Sequence, residues 1–97
     1  MPTYVTLYNW TEQGVKNIKE APARLEAAIK ATQAAGGKLL GVYITMGAYD
    51  LVALSEWPSD ESVAAGALAI SSLGNVRTTT MRAFTPAEFA EIVKKIP

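Results

Sequence analysis

Residues 3–10 alternate in character: Val5 and Leu7 fall on one side of an extended segment, and Tyr4, Thr6, Tyr8 and Trp10 on the other. A period of two predicts a strand. Residues 11–21 (TEQGVKNIKEA) are polar, contain Gly14 and end at Pro22, whose ring disfavours helical geometry in the residue before it. They read as a loop with room for one helical turn. From Pro22, suited to a first helical position, strong helix formers follow, with Leu25, Ala28, Ile29 and Thr32 on one stripe until Gly36 and Gly37 stop the helix.

Residues 38–46 (KLLGVYITM) alternate again, Leu40, Val42, Ile44 and Met46 against Leu39, Gly41, Tyr43 and Thr45. Gly47, Ala48, Tyr49 and Asp50 interrupt two apolar runs as a hairpin turn, and residues 51–57 form a third strand ended by Pro58. Ser59 is placed as an N-cap, with Asp60 and Glu61 at the positive end of the dipole of a helix reaching about Leu73. Its apolar positions are Val63, Ala67, Ile70 and Leu73, and Gly74 and Asn75 terminate it. Residues 76–84 (VRTTTMRAF) form a fourth strand. Thr85, Pro86 and Glu88 spell a capping box with proline at the first position of a last helix, whose stripe is Phe89, Ile92, Val93 and Ile96. The order strand, helix, strand, strand, helix, strand, helix predicts an α+β fold, a ferredoxin-like βαββαβ antiparallel sheet plus a C-terminal helix. No linker divides residues 1–97, which read as one domain.

Sorting the strands by alternation gives two kinds of face. Val5 and Leu7, Leu40, Val42 and Ile44, Val52 and Leu54, and Met81 and Ala83 are aliphatic and are expected under the helices. The other set carries Tyr4, Thr6, Tyr8 and Trp10, then Tyr43 and Thr45, Ala53, Ser55 and Trp57, and finally Thr78 and Thr80 with Arg82 and Phe84. Rings with hydroxyls and a single charge suit a covered or ligand-lined surface, and so much aromatic area is more than a small monomer leaves exposed. The expectation is a homodimer, with two sheets stacked face to face around a lumen as a dimeric α+β barrel. A slip of one residue would exchange the faces.

Composition narrows the chemistry. Nine basic and nine acidic side chains cancel, so broad attraction to nucleic acid or to an anionic membrane is not expected. Lys94 and Lys95 are read as complements to a helix dipole. The chain has no cysteine and no histidine. Thiol and imidazole catalysis and His/Cys metal sites are therefore absent, and no cofactor or metal is expected. The first ten residues lack the basic and apolar regions of a signal peptide, so a cytoplasmic protein is expected.

The motif G-x-Y-D at Gly47, Tyr49 and Asp50, the start TYVTL-x-NWT at residues 3–11, SLGNVRT at 72–78 and RAFT at 82–85 together resemble the GYD domain family over essentially the whole chain. The resemblance implies a small prokaryotic homo-oligomer of the dimeric α+β barrel group. That wider group includes heme-degrading and quinone-forming monooxygenases, dechlorinating enzymes and ligand sensors, while the GYD family itself carries no established reaction. Activity would then rest on fold analogy alone.

Two functional expectations follow. One is an oligomeric module that assembles, or binds an aromatic or anionic metabolite through Tyr8, Trp10, Tyr43, Trp57 and Arg82. The other is a cofactor-independent barrel enzyme of the monooxygenase or isomerase kind, with Asp50 as base and Tyr49 or Arg82 steadying an oxyanion. Each candidate also has a structural reading. Gly47 serves a turn needing positive φ, Asp50 caps backbone amides, and the tryptophans pack an interface. An enclosed Arg82 needs a carboxylate or an anion, and Asp50 and Glu56 are candidate partners, with Arg77 less constrained.

Overall fold

Each predicted element forms, following the local signals of its own residues. The computed structural model describes residues 1–97 and contains β1 (Thr3–Trp10), α1 (Glu12–Lys16), a 3₁₀ turn (Ile18–Glu20), α2 (Ala21–Ala34), β2 (Lys38–Ile44), β3 (Leu51–Glu56), α3 (Asp60–Ser72), β4 (Val76–Ala83) and α4 (Pro86–Val93). The polar stretch after β1 holds more structure than expected. Thr11 caps α1 by accepting the Gly14 amide, and the 3₁₀ turn leads directly into α2. Ser59 and Ser62 cap α3 reciprocally, and Thr85 and Glu88 do the same for α4. No helix is long and apolar enough to cross a membrane.

The four strands form one antiparallel sheet in the order β2-β3-β1-β4, a ferredoxin-like arrangement. Central β1 sets Tyr4 between Ser55 and Arg82, and Thr6 between Ala53 and Thr80. These residues share one face, and it is the face that α2 and α3 cover. Tyr4, Thr6, Leu51, Ala53, Ser55 and Trp57 are all buried there. The expected assignment of faces is therefore reversed in β1, β3 and β4: their aromatic and hydroxyl set lies on the helix side and their aliphatic set is left open. Tyrosine and tryptophan can occupy the inner layer because their polar atoms find partners. The Tyr4 hydroxyl donates to Asp60 Oδ1 in the first turn of α3, and Trp57 Nε1 donates to Ser55 Oγ at 3.1 Å.

Strand β2 departs from strict alternation as well. Its register against β3 shifts between Leu39 and Gly41, a β-bulge that leaves Leu39 and Val42 both on the helix side. Leu40 and Tyr43 remain on the other side, 49% and 62% exposed. The expected grouping of Leu40 with Val42 and Ile44 is corrected by that single extra residue.

The core centres on Tyr4, Trp57 and Val63. The indole of Trp57 meets α3 at Gly66, where a β-carbon would stand 2.9 Å from the ring, and meets the chain leaving α2 at Gly37, where it would stand 3.0 Å away. Elsewhere a cleft lies between the helices and the sheet, and α4 has no buried residue at all.

Two substitutions test this core. Trp57→Ala should lower the unfolding free energy by about 3–5 kcal/mol, read from the urea midpoint. Gly66→Ala should also destabilise, although alanine is the better helix former. A stabilised Gly66→Ala protein would mean that the indole does not press on α3.

Candidate functional site

The β2–β3 turn is built by its signature residues. Gly47 has φ +106°, a conformation that other residues rarely adopt. The Thr45 amide donates to the Asp50 carbonyl at 2.9 Å, and the Thr45 hydroxyl donates to the Tyr49 carbonyl at 2.5 Å. The turn then reaches back over β1. Asn9 Nδ2 donates to the Ala48 carbonyl at 2.8 Å, the Asp50 amide to the Tyr8 carbonyl at 2.8 Å, and the Trp10 amide to Asp50 Oδ2 at 2.9 Å. Asp50 thus prolongs the β1–β3 ladder with its side chain, holding a neighbouring strand rather than its own turn. The Tyr49 side chain, 39% exposed, stands at the rim.

A cleft of about 690 Å³ separates α2 and α3 from the sheet. Tyr8, Trp10 and Trp57 line its floor, with Leu25 and Ile29 of α2 and Ile70 of α3 along its walls. Ala27, Ala31, Ala65 and Ala69 line it too while staying exposed, so it opens to solvent between the helices. Burial pushes the Tyr8 hydroxyl above its ordinary pKa of 10.0. The hydrogen bond to Asp60, followed by burial, raises Tyr4 in the same direction.

The five residues expected around one ligand are divided among three places. Tyr8, Trp10 and Trp57 share the cleft. Tyr43 stands on the opposite face, opposite Val52. Arg82 lies on the helix-side face of edge strand β4, its guanidinium carbon 4.6 Å from the Phe84 ring centroid and 5.8 Å from that of Tyr4. It donates to the Thr3 carbonyl at 3.2 Å and to the Ala83 carbonyl, and pairs with Glu88 at 3.9 Å. Neither Asp50 nor Glu56 is its carboxylate partner. The Thr85 backbone amide, ahead of the Arg82 charge, holds the Glu88 carboxyl below its ordinary value of 4.5. No group of three or more His, Cys, Asp or Glu converges where a metal could be held.

Two residues escaped the sequence reading. Asp60 was legible as a helix-end charge, but its bond to Tyr4 spans the fold. Arg24 of α2 is among the residues lining the cleft, and its only sequence signal is a charge beside Leu25 and Ala28 on an otherwise apolar stripe.

The open face of the sheet has an apolar centre, with Thr3, Asn9, Glu56, Arg77 and Thr79 toward its edges. It carries Val5 and Leu7 of β1 and Val52 of β3, all half-buried, with Leu40, Leu54 and Met81 exposed. Helix α4 and the turn after it add a second uncovered set, Phe89, Ile92 and Val93 with Ile96.

The GYD domain profile matches residues 4–93. A Thermus thermophilus protein named glutamine synthetase and cystathionine beta-lyase binding protein is 28% identical over 95 residues, covering 97% of this chain and 100% of its own. The crystal structure of TTHA0845, also from Thermus thermophilus, superposes with a TM-score of 0.57 at 31% identity, covering 88% of this chain and 95% of that one.

Replacing Asp50 by alanine should cost about 1–3 kcal/mol by stranding the Trp10 amide, and Asp50→Asn, whose amide oxygen still accepts, should cost less. Equal unfolding midpoints for the parent and Asp50→Ala would remove the ladder role. The tyrosines set an alkaline limit. Their folded pKa values lie above 10.0, so the folded state holds both protons more tightly. Their contribution to stability is present below pH 10.0 and is lost as pH rises through the higher folded values. Urea midpoints measured upward from pH 10.0 should therefore fall, and Tyr4→Phe should flatten that fall.

Proposed function

The chain belongs to the GYD domain family, and we propose that it acts as an assembly and protein-docking module, in which two copies stack the open faces of their sheets into a dimeric α+β barrel that engages metabolic enzymes. The observation that carries this reading is the uncovered aliphatic face of the sheet, with Leu54, Leu40 and Met81 more than a third exposed. Large contiguous apolar patches on small proteins mark interaction surfaces. A sheet face meeting its own copy is self-complementary, as two-fold contacts require.

Face-to-face association also accounts for a sheet that is apolar on both sides. Burying Leu54 and Met81 would stabilise the pair by roughly 25 cal/mol per Å² of apolar surface covered. The exposed stripe of α4 supplies further apolar area for a copy or a partner. The docking half of the proposal is supported by the relative whose name states that it binds glutamine synthetase and cystathionine beta-lyase, since that likeness spans nearly the whole of both chains. A catalytic role for Asp50 draws less support, because its carboxylate is engaged by the Trp10 amide.

Sedimentation velocity should show a dimer or larger oligomer at micromolar concentration, and the double variant Leu54→Lys with Met81→Lys should sediment as a folded monomer. A monomeric parent overturns the barrel. For docking, immobilised protein should retain purified glutamine synthetase or cystathionine beta-lyase from the same cell, and retention of neither overturns that half alone.

A further inference from the structure

We infer that the cleft between the helices and the sheet is a binding site for a small monocarboxylate with an apolar body, whose carboxylate pairs with Arg24 at the cleft wall. The proposal is independent of the assembly reading, since the cleft lies on the other side of the sheet from the open aliphatic face.

Three observations support it. First, the cleft is both large and apolar: about 690 Å³ is a volume typical of small-molecule sites, and aromatic and aliphatic side chains dominate its lining. The space persists because α2 and α3 present alanines there. Ala28 and Ala67 reach toward the sheet where larger residues would have filled the gap, and a ligand replaces the missing side-chain volume.

Second, one donor is left over. Arg24 Nη1 donates to the Asn17 carbonyl at 2.8 Å, whereas its Nη2 is buried without any hydrogen-bond partner. A guanidinium nitrogen without an acceptor is costly, and a carboxylate is the acceptor whose geometry suits that fork; because Nη2 is itself covered by protein atoms, the guanidinium turns toward the cleft to meet it. Third, no Asp, Glu or Lys lines the cleft, so Arg24 supplies its only formal charge. The field inside is positive and the walls are apolar. Together these select an anion attached to an apolar body, and discriminate against both cations and strongly polar metabolites. Tyr8 supplies a further polar group on the floor.

The test uses the chain's own reporters, because its two tryptophans, Trp10 and Trp57, both line the cleft. Decanoate titrated below its micelle concentration should change the tryptophan fluorescence saturably, and decanol, with the same apolar body and no charge, should bind at least about tenfold more weakly. Arg24→Gln should abolish the preference for decanoate and Arg24→Lys should keep part of it. Ala67→Phe, with circular dichroism confirming the fold, should block both ligands by filling the space. No saturable response to decanoate, equal affinity for decanol in the parent, or undiminished preference in Arg24→Gln would each overturn the assignment. The sedimentation behaviour should be the same with and without decanoate, and an oligomer that forms only with decanoate would overturn the claim that the two surfaces are independent.

Discussion

The indole of Trp57 is held between two stretches of backbone that carry no side chain, and the relation of both long helices to the sheet depends on that contact. Gly66 brings α3 onto one part of the ring and Gly37 brings the chain after α2 onto another, each at a distance that a β-carbon would not permit. Ser55 fixes the ring by accepting its N–H, and Tyr4 and Val63 complete the packing. A large flat side chain with little rotamer freedom is suited to setting a spacing between layers. Because that spacing is set at one end by an indole, and many of the helix residues beyond it are alanines, the layers do not close along their length. The cleft is the result.

Much of the element order was legible in the chain because it rests on local chemistry. Capping residues Ser59 and Thr85, the stop at Gly36 and Gly37, and the turn at Gly47 act within a few residues of themselves, and each does in the structure what its position suggests. The side of the sheet that each residue faces was not legible. Alternation separates two sets without saying which is inward, and the usual rule that aliphatic residues go in fails when the opposite set is aromatic and its polar atoms are satisfied. Tyr4 needed Asp60, fifty-six positions away, and no local pattern announces that pairing. In β2 the extra residue at the bulge changed the phase midway, which a strict period of two cannot anticipate.

The candidate site was legible in the same partial way. Tyr8, Trp10 and Trp57 do share a surface, because strand pairing and parity bring them together. Arg82 and Tyr43 do not join them. Arg82 is drawn to the end of β4 by Phe84, Tyr4 and Glu88, and the bulge turns Tyr43 away. The Asp50 carboxylate reads as chemistry in one dimension and as a strand clamp in three, since its partner Trp10 lies forty positions earlier.

The bulge in β2 bears on polymerisation as well as on side-chain phase. The sheet has two edges, and β2 at one of them is bent and out of step with any regular partner, whereas β4 at the other runs in unbroken register through its threonines. Strand addition is therefore favoured along β4 alone. If two copies met there, both outer edges of the joined sheet would be the bulged β2, and growth would end with that pair instead of continuing into a fibre.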